Sequence, residues 1–225
     1  MKRRSPSPVL PLAHFGVIPD GTRRWAIKEH IGLDSAYVQA LAHLGDVIRV
    51  LLMQPEVKEV SAYLLSGYNL KRPKEELEAL CAGFEAFRDT VIPALLRVAP
   101  LSFSVVGDTA SIEDERLREV SRSLELNVEG ERRINLLIGY TAEWEMEEAP
   151  TRLSCGSSIL DGLAVRTPVD VVIRTGGART LSDFLPLQCG YAQLVFRDEL
   201  WNDFGEDVLV SVVDRLRSLK PRYGE

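Results

Sequence analysis

Short apolar runs rich in β-branched residues alternate along this chain with longer stretches in which apolar positions recur every third or fourth residue. The short runs, at residues 15–18, 60–65, 103–106, 134–138 and 169–173, predict strands, and a sixth strand is predicted at 194–196. Between the first two, Val38, Leu41, Leu44, Ile48, Leu51 and Leu52 fall on one face of a helix. A second helix is predicted after Pro73, with Leu77, Leu80, Cys81, Phe84, Phe87 and Ile92 on its apolar side. Two more are predicted over 114–126 and 206–219. This alternation implies an α/β fold: a single domain with a mostly parallel central sheet of about six strands, flanked by helices on both faces. Residues 1–13, with Pro6, Pro8 and Pro11, read as a flexible tail ahead of one domain over 14–225. Residues 156–158 read as the loosest internal part.

The polar residues that interrupt this pattern fall just after the predicted strands. DGTRR follows the first at 20–24, Ser66 and Asn69 with Arg72 follow the second, Gly107 and Asp108 the third, Gly139 and Tyr140 the fourth, and RTGG the fifth at 174–177. Open parallel sheets bind ligands at the carboxyl ends of their strands. An edge carrying one Asp, several Gly and a set of Arg suits a phosphorylated ligand with a divalent cation, because guanidinium forks hold phosphate oxygens and a carboxylate holds Mg²⁺. Neither a Walker A pattern nor G-x-G-x-x-G is present, so nucleotide binding loses its main support.

Composition narrows the reading. The 225 residues are 45% hydrophobic and 27% charged, which suits one soluble domain with a sizeable core. With 27 Lys+Arg against 33 Asp+Glu the formal charge is -6, a poor basis for binding nucleic acid. No apolar run reaches membrane-spanning length, and Arg49 interrupts the best one, so stable membrane insertion is not expected. Lys2, Arg3 and Arg4 lead into prolines rather than a signal-peptide core. Cys81, Cys155 and Cys189 form no C-x-x-C pair and suit a reduced, cytoplasmic setting as small buried side chains. His14, His30 and His43 lack metal-ligand spacing and are read as core or surface residues. The charged runs at 74–76 and 145–148 are read as solvated helix faces.

Taken in order, the blocks are recognisable. FGVIPDGTRRWA at 15–26 resembles the first signature of the cis-prenyltransferase family, which includes undecaprenyl diphosphate synthases and reads D-G-N-G-R-W-A there. YLLSGYNLKRP at 63–73 is similar to the family's Y-A-F-S-x-E-N-W-x-R-P, and VVGD at 105–108 to its I-G-D. Residues 135–144 loosely match an N-Y-G-G-R region. DVVIRTGG at 170–177 and SDFL at 182–185 match D-L-x-I-R-T-G-G and S-N-F-L, and residues 188–196 and 200–204 complete the series. Order and spacing hold over residues 14–223.

The resemblance implies condensation of prenyl diphosphates (dimethylallyl, geranyl or farnesyl diphosphate) by a Mg²⁺-dependent homodimer. It implies that Asp20 holds the metal and acts with Asn69 and Ser66 near the reacting carbons. Gly21, Thr22, Arg23, Arg24 and Trp25 would surround the allylic diphosphate. Arg174 and Ser182, with Arg179 and Thr180, would take the second, and Arg72 would add a cation.

The departures decide what kind of member this is. An Arg and a His that bind the allylic diphosphate in the family correspond to Leu33 and Tyr37. The motif's Asn and second Gly are Thr22 and Arg23, and the E-N-W element reads Tyr68-Asn-Leu. An Arg two residues before the motif Ser is Thr180, with Arg179 displaced by one, and a late metal-binding Glu is Gln193. Glu143 and Glu145 are the reserve carboxylates. These changes favour a short-chain irregular, non-head-to-tail prenyl diphosphate synthase of the lavandulyl or cyclolavandulyl type. Single-substrate terpene cyclisation, ordinary elongation with isopentenyl diphosphate, and a non-catalytic partner subunit are the alternatives. The helix bearing Leu77, Leu80, Phe84 and Phe87 is read either as a tunnel wall or as ordinary core.

Overall fold

The computed structural model describes residues 12–128, 130–153 and 158–218. Of the tail read over 1–13, residues 1–11 lie outside the described residues, as do Cys155 with 156–157 and the end of the last predicted helix at Leu219, whereas Leu12 is buried in the core and the Ala13 amide donates to Asp170. The strands are β1 (His14–Ile18), β2 (Glu59–Ser66), β3 (Leu101–Val106), β4 (Arg132–Tyr140), β5 (Val171–Arg174) and β6 (Gln193–Phe196). They form one all-parallel sheet in the order β3-β4-β2-β1-β5-β6. All six were expected from the sequence. β4 is longer than its apolar run, and β5 starts two residues later and ends one later, on Arg174.

The helices are α1 (Thr22–Lys28), α2 (Leu33–Leu52), α3 (Lys74–Ala86), α4 (Ile92–Leu96), α5 (Glu115–Ser123), α6 (Ala142–Glu148) and α7 (Glu206–Arg217). Asp114 caps α5 by accepting from the Leu117 amide at 2.8 Å, and Thr141 caps α6 by accepting from Trp144 at 3.1 Å. A π turn at Phe87–Val91 carries α3 into α4 just before Pro93, which has no amide proton to continue the helical ladder.

Strand residues alternate between two cores, as the two-residue pleat requires. Phe15, Val17, Val60, Ala62, Ile134, Leu136, Val171 and Ile173 face the larger core, where α2, α3, α5 and α7 contribute Leu44, Ile48, Phe84, Leu117 and Leu209. Ile18, Leu137 and Val172 face the smaller one, built on Val165, Phe184 and Leu185. The two faces are therefore covered unevenly. The four long amphipathic helices share one side, whereas short α6 and irregular chain cover the other. Leu80, Phe84 and Phe87 are buried in the larger core, and Leu77 packs against it.

Candidate functional site

The strand order reverses between β1 and β5. From β1 the chain runs outward to β2 and β3, inserts β4 between them, then crosses to β5 on the opposite side of β1. The segments leaving these two strands therefore diverge, and a crevice opens at their carboxyl ends. The register pairs Ile18 with Arg174. The threonine hydroxyl of Thr175 stitches the two ends together, accepting from the Asp20 amide at 3.1 Å and donating to the Asp20 carbonyl at 2.9 Å.

A cleft of about 930 Å³ lies at this point, lined by Asp20, Gly21, Thr22, Arg23, Arg24, Ser66, Asn69, Arg72, Arg174 and Ser182 among the sequence-derived candidates. Thr180 touches it through Arg174. Two candidates point elsewhere: the Trp25 indole donates to Asp203 at 2.9 Å, and Arg179 pairs with Asp198 at 3.1 Å on the surface. Gln193 opens β6 opposite Val171, at the far end of the strand from the cleft. Glu143 is exposed and outside the cleft.

Asp20 stands between two guanidinium groups. Its Oδ1 accepts from Arg24 Nη2 at 3.1 Å and its Oδ2 from Arg174 Nη2 at 3.0 Å. The first residue of α1 is Thr22 and its cap position is Gly21, so Asp20 is not spent on capping. Arg174 is only 7% exposed, and its Nη1 donates to the Thr180 carbonyl at 2.7 Å and to Ser182 Oγ at 2.6 Å. Its buried Nε has no hydrogen-bond partner among the described residues. Unspent donors on a buried cation are what a site for an anion requires.

The backbone around them is locally strained. Ser182 and Asp183 both have positive φ, 49° and 70°, unusual for side-chain-bearing residues. The Arg174–Ser182 bond holds the first, and the Asp183 carboxylate accepting from the Ala142 amide at 2.8 Å holds the second. Gly176 has φ +80°, and a Cβ there would lie 2.6 Å from Arg24 Nη2 and 2.8 Å from the Asp20 carbonyl. Only glycine lets this loop approach so closely.

The opposite wall holds a second group of cations. Arg23 and Arg72 converge on Glu76, at 3.2 and 2.7 Å, and the Tyr37 hydroxyl donates to the same carboxylate at 3.2 Å. Burial pushes the Tyr37 phenol up to about 12, so it stays a neutral donor. Glu76 is 6% exposed, which corrects the solvated-face reading of residues 74–76. Arg72 stands four residues before Glu76 in extended backbone ahead of α3, so this pair forms across the start of the helix. Glu145 corrects the other run: it is buried, accepting from Tyr140, Gln188 and the amides of Ala164 and Val165. Its carboxylate organises chain on the small-core face and does not reach the cleft.

The lining also includes Ile27, Tyr63, Leu64, Tyr68 and Asp183, to which the sequence reading gave no site role. Leu64 is where β2 shifts register against β4, a bulge that re-aims side chains beside the site. Four arginines against two aspartates make the lining cationic in a chain whose net charge is -6. Among the described residues no cluster of three His, Cys, Asp or Glu could cage a metal. Asp20 fits a Mg²⁺ that takes most of its ligands from phosphate oxygens and water. Burial pushes the Cys81 and Cys189 thiols up to about 11 and about 12, as inert core cysteines behave.

Comparison with known proteins agrees with this geometry. The sequence family described as putative undecaprenyl diphosphate synthase matches residues 18–224. The tritrans,polycis-undecaprenyl-diphosphate synthase (geranylgeranyl-diphosphate specific) of Pyrobaculum aerophilum is 28% identical, with 94% of this chain and 95% of that protein covered. The ditrans,polycis-undecaprenyl-diphosphate synthase of Escherichia coli is 26% identical over 94% of this chain and 89% of its own length. The crystal structure of lavandulyl diphosphate synthase from Lavandula x intermedia, in complex with dimethylallyl diphosphate, superposes with a TM-score of 0.82. It covers 96% of this chain and 99% of that one, at 21% identity, and so reports on fold.

Proposed function

The chain belongs to the undecaprenyl diphosphate synthase family of cis-prenyltransferases, and from that premise we propose that it is a Mg²⁺-dependent, short-chain irregular prenyl diphosphate synthase. The observation that carries the short-chain part is the filled interior between α2 and α3. Leu41, Leu80, Phe84 and Phe87 are all buried, and a Cβ on Gly83 of α3 would lie 3.2 Å from the Tyr37 backbone of α2. None of these four side chains lines the cleft, which supports a short product over a long polyprenyl chain.

The residues take these roles in the proposal. An arriving diphosphate competes with Asp20 for Arg24 and Arg174, gaining charge-assisted hydrogen bonds and releasing the carboxylate. Asp20 would then be free to hold Mg²⁺, which when bound would offset charge on a leaving diphosphate. Gly21 and Thr22 pass the backbone close to that diphosphate, and Ser182 with Thr180 keeps Arg174 aimed at it. Ser66 and Asn69 flank the reacting carbons, with Ser66 Oγ accepting from the Asn69 amide at 3.2 Å to fix their turn. Tyr63, Leu64 and Tyr68 give the developing allylic cation an apolar, aromatic surround. Trp25 and Arg179 act at the periphery. Homodimerisation in the cytoplasm completes the reading, supported by β6 as an open sheet edge carrying the exposed Leu194.

The test is incubation of the protein and Mg²⁺ with dimethylallyl, geranyl or farnesyl diphosphate, each alone and with isopentenyl diphosphate. Products are weighed by mass spectrometry before and after phosphatase. The expected product forms from allylic substrate alone, joins two such units and keeps one diphosphate. A cyclised hydrocarbon without phosphate would mean a terpene synthase. Product only with isopentenyl diphosphate would mean an elongating enzyme, and no product at all a partner subunit.

A further inference from the structure

Glu76 does not line the cleft, yet three groups that do line it end on its carboxylate. They come from three separate elements: Arg23 from α1, Tyr37 from α2, and Arg72 from the segment that follows β2. Oε1 lies 2.7 Å from Arg72 Nη1 in an ion pair and accepts from the Tyr37 hydroxyl at 3.2 Å, and Oε2 accepts from Arg23 Nη1 at 3.2 Å. Arg72 Nη1 also reaches the Tyr37 oxygen at 3.3 Å. A carboxylate this buried is costly unless paired, and two guanidinium groups this close repel unless an anion stands between them. Each requirement meets the other here.

We propose that Glu76 is a positioning residue that gathers Arg23, Arg72 and Tyr37 into a second anion-binding wall, facing the one made by Arg24 and Arg174. The bonds to Glu76 use Nη1 of each guanidinium. Among the described residues no recorded contact engages Nη2 or Nε of Arg23 or Arg72, which leaves those donors for phosphate oxygens. Each wall then carries two arginines and one carboxylate, a net positive charge on both sides of one cleft. That arrangement suits two diphosphates held face to face, as coupling of two allylic substrates needs. The proposal deepens the reading of the previous subsection, on which the identity of the ligand rests.

Its test begins with inorganic pyrophosphate alone, titrated calorimetrically, so that no prenyl chemistry is required. Glu76→Gln keeps the side-chain volume and loses the charge. It is expected to weaken pyrophosphate binding about 5–10-fold, and Glu76→Ala about tenfold or more. Glu78→Gln, on the exposed side of the same helix, should leave binding unchanged. Glu76→Asp should recover part of the loss. In an Arg23→Ala Arg72→Ala background, Glu76→Gln should add nothing, which a purely structural role would not produce. With allylic substrate, KM should rise by a similar factor while kcat stays within about twofold. Unchanged or tighter pyrophosphate binding by a folded Glu76→Gln variant overturns the proposal, and so does a Gln variant that fails to fold. Weakened pyrophosphate binding with no prenyl product in any incubation would retain the wall and discard the enzymatic reading. Prenyl product with pyrophosphate binding untouched by Glu76→Gln would do the reverse.

Discussion

Two clusters of polar side chains sit at opposite ends of the same parallel strands, and they are built from similar residues. At the amino ends, His14, Glu59, Ser61, Asn135 and Thr167 form one network. His14 Nε2 meets Ser61 Oγ at 2.8 Å, Asn135 donates to Glu59 at 2.6 Å and to Ser61 at 2.9 Å, and Thr167 donates to the other Glu59 oxygen. Asp170 closes the rim by accepting from the amides of Ala13 and His14. At the carboxyl ends stand Asp20, Arg24, Arg174 and Ser182, with Glu76, Arg23, Arg72 and Tyr37 opposite. The first cluster spends its hydrogen-bonding capacity inside the chain. The second leaves Arg174 Nε without a partner and turns arginine donors toward an open cleft. Burial alone therefore does not mark a functional site; unspent capacity next to open volume does.

Removing one residue from each end should separate the two roles. The largest effect is expected for Asp20→Ala, a loss of turnover of about 10²–10³-fold with the fold retained, measured by product formation beside circular dichroism. An Asp20→Ala variant with full activity would end the metal–diphosphate assignment. Glu59→Ala should do the opposite, lowering unfolding free energy by about 2–3 kcal/mol in denaturant titration while activity per folded molecule is kept. A large loss of kcat in folded Glu59→Ala protein would erase the contrast between the ends.

A smaller effect should follow pH. Burial holds the His14 imidazole below its usual value, against the opposing pull of Glu59 and Asp170. The unfolded chain then binds a proton near pH 6.5 that the folded chain resists, so stability falls as pH drops below that value. Thermal midpoints should decline between pH 7 and 5.5, and His14→Gln should flatten part of that slope. A slope unchanged in the variant would remove His14 as its source. The smallest effect is expected at the exposed Arg179–Asp198 pair: Arg179→Ala should raise KM less than about twofold in steady-state assays.

Much of this molecule was legible before folding was considered, because some features are local. Strand positions follow from short β-branched runs, and α2 from a 20-residue amphipathic pattern. The candidates Asp20, Arg24, Ser66, Asn69, Arg72, Arg174 and Ser182 all line the same cleft, since each ends or follows a strand and parallel strands present those ends together. Residues whose role depends on what packs over them were misread. Glu76 and Glu145 look like members of solvated charge runs, and Lys74, Glu75, Met146 and Glu147 beside them are indeed exposed, but these two point inward to partners brought by other elements. Trp25 and Arg179 belong to the right motifs, yet the turn of α1 and the loop after β5 aim them at Asp203 and Asp198.

The sequence by itself determined the α/β class, the strands and the four long helices, and the set of chemical groups delivered to one end of the sheet. Those depend on the spacing of neighbouring residues, which the chain carries as written. Only the tertiary structure decided that β5 returns beside β1, placing Arg174 3.0 Å from Asp20 across 154 positions of chain. It also decided that α2 and α3 approach closely at Gly83, where an added Cβ would lie 3.2 Å from the Tyr37 backbone. Strand order and helix approach arise from packing between distant segments, where many sequences with the same local pattern could settle differently.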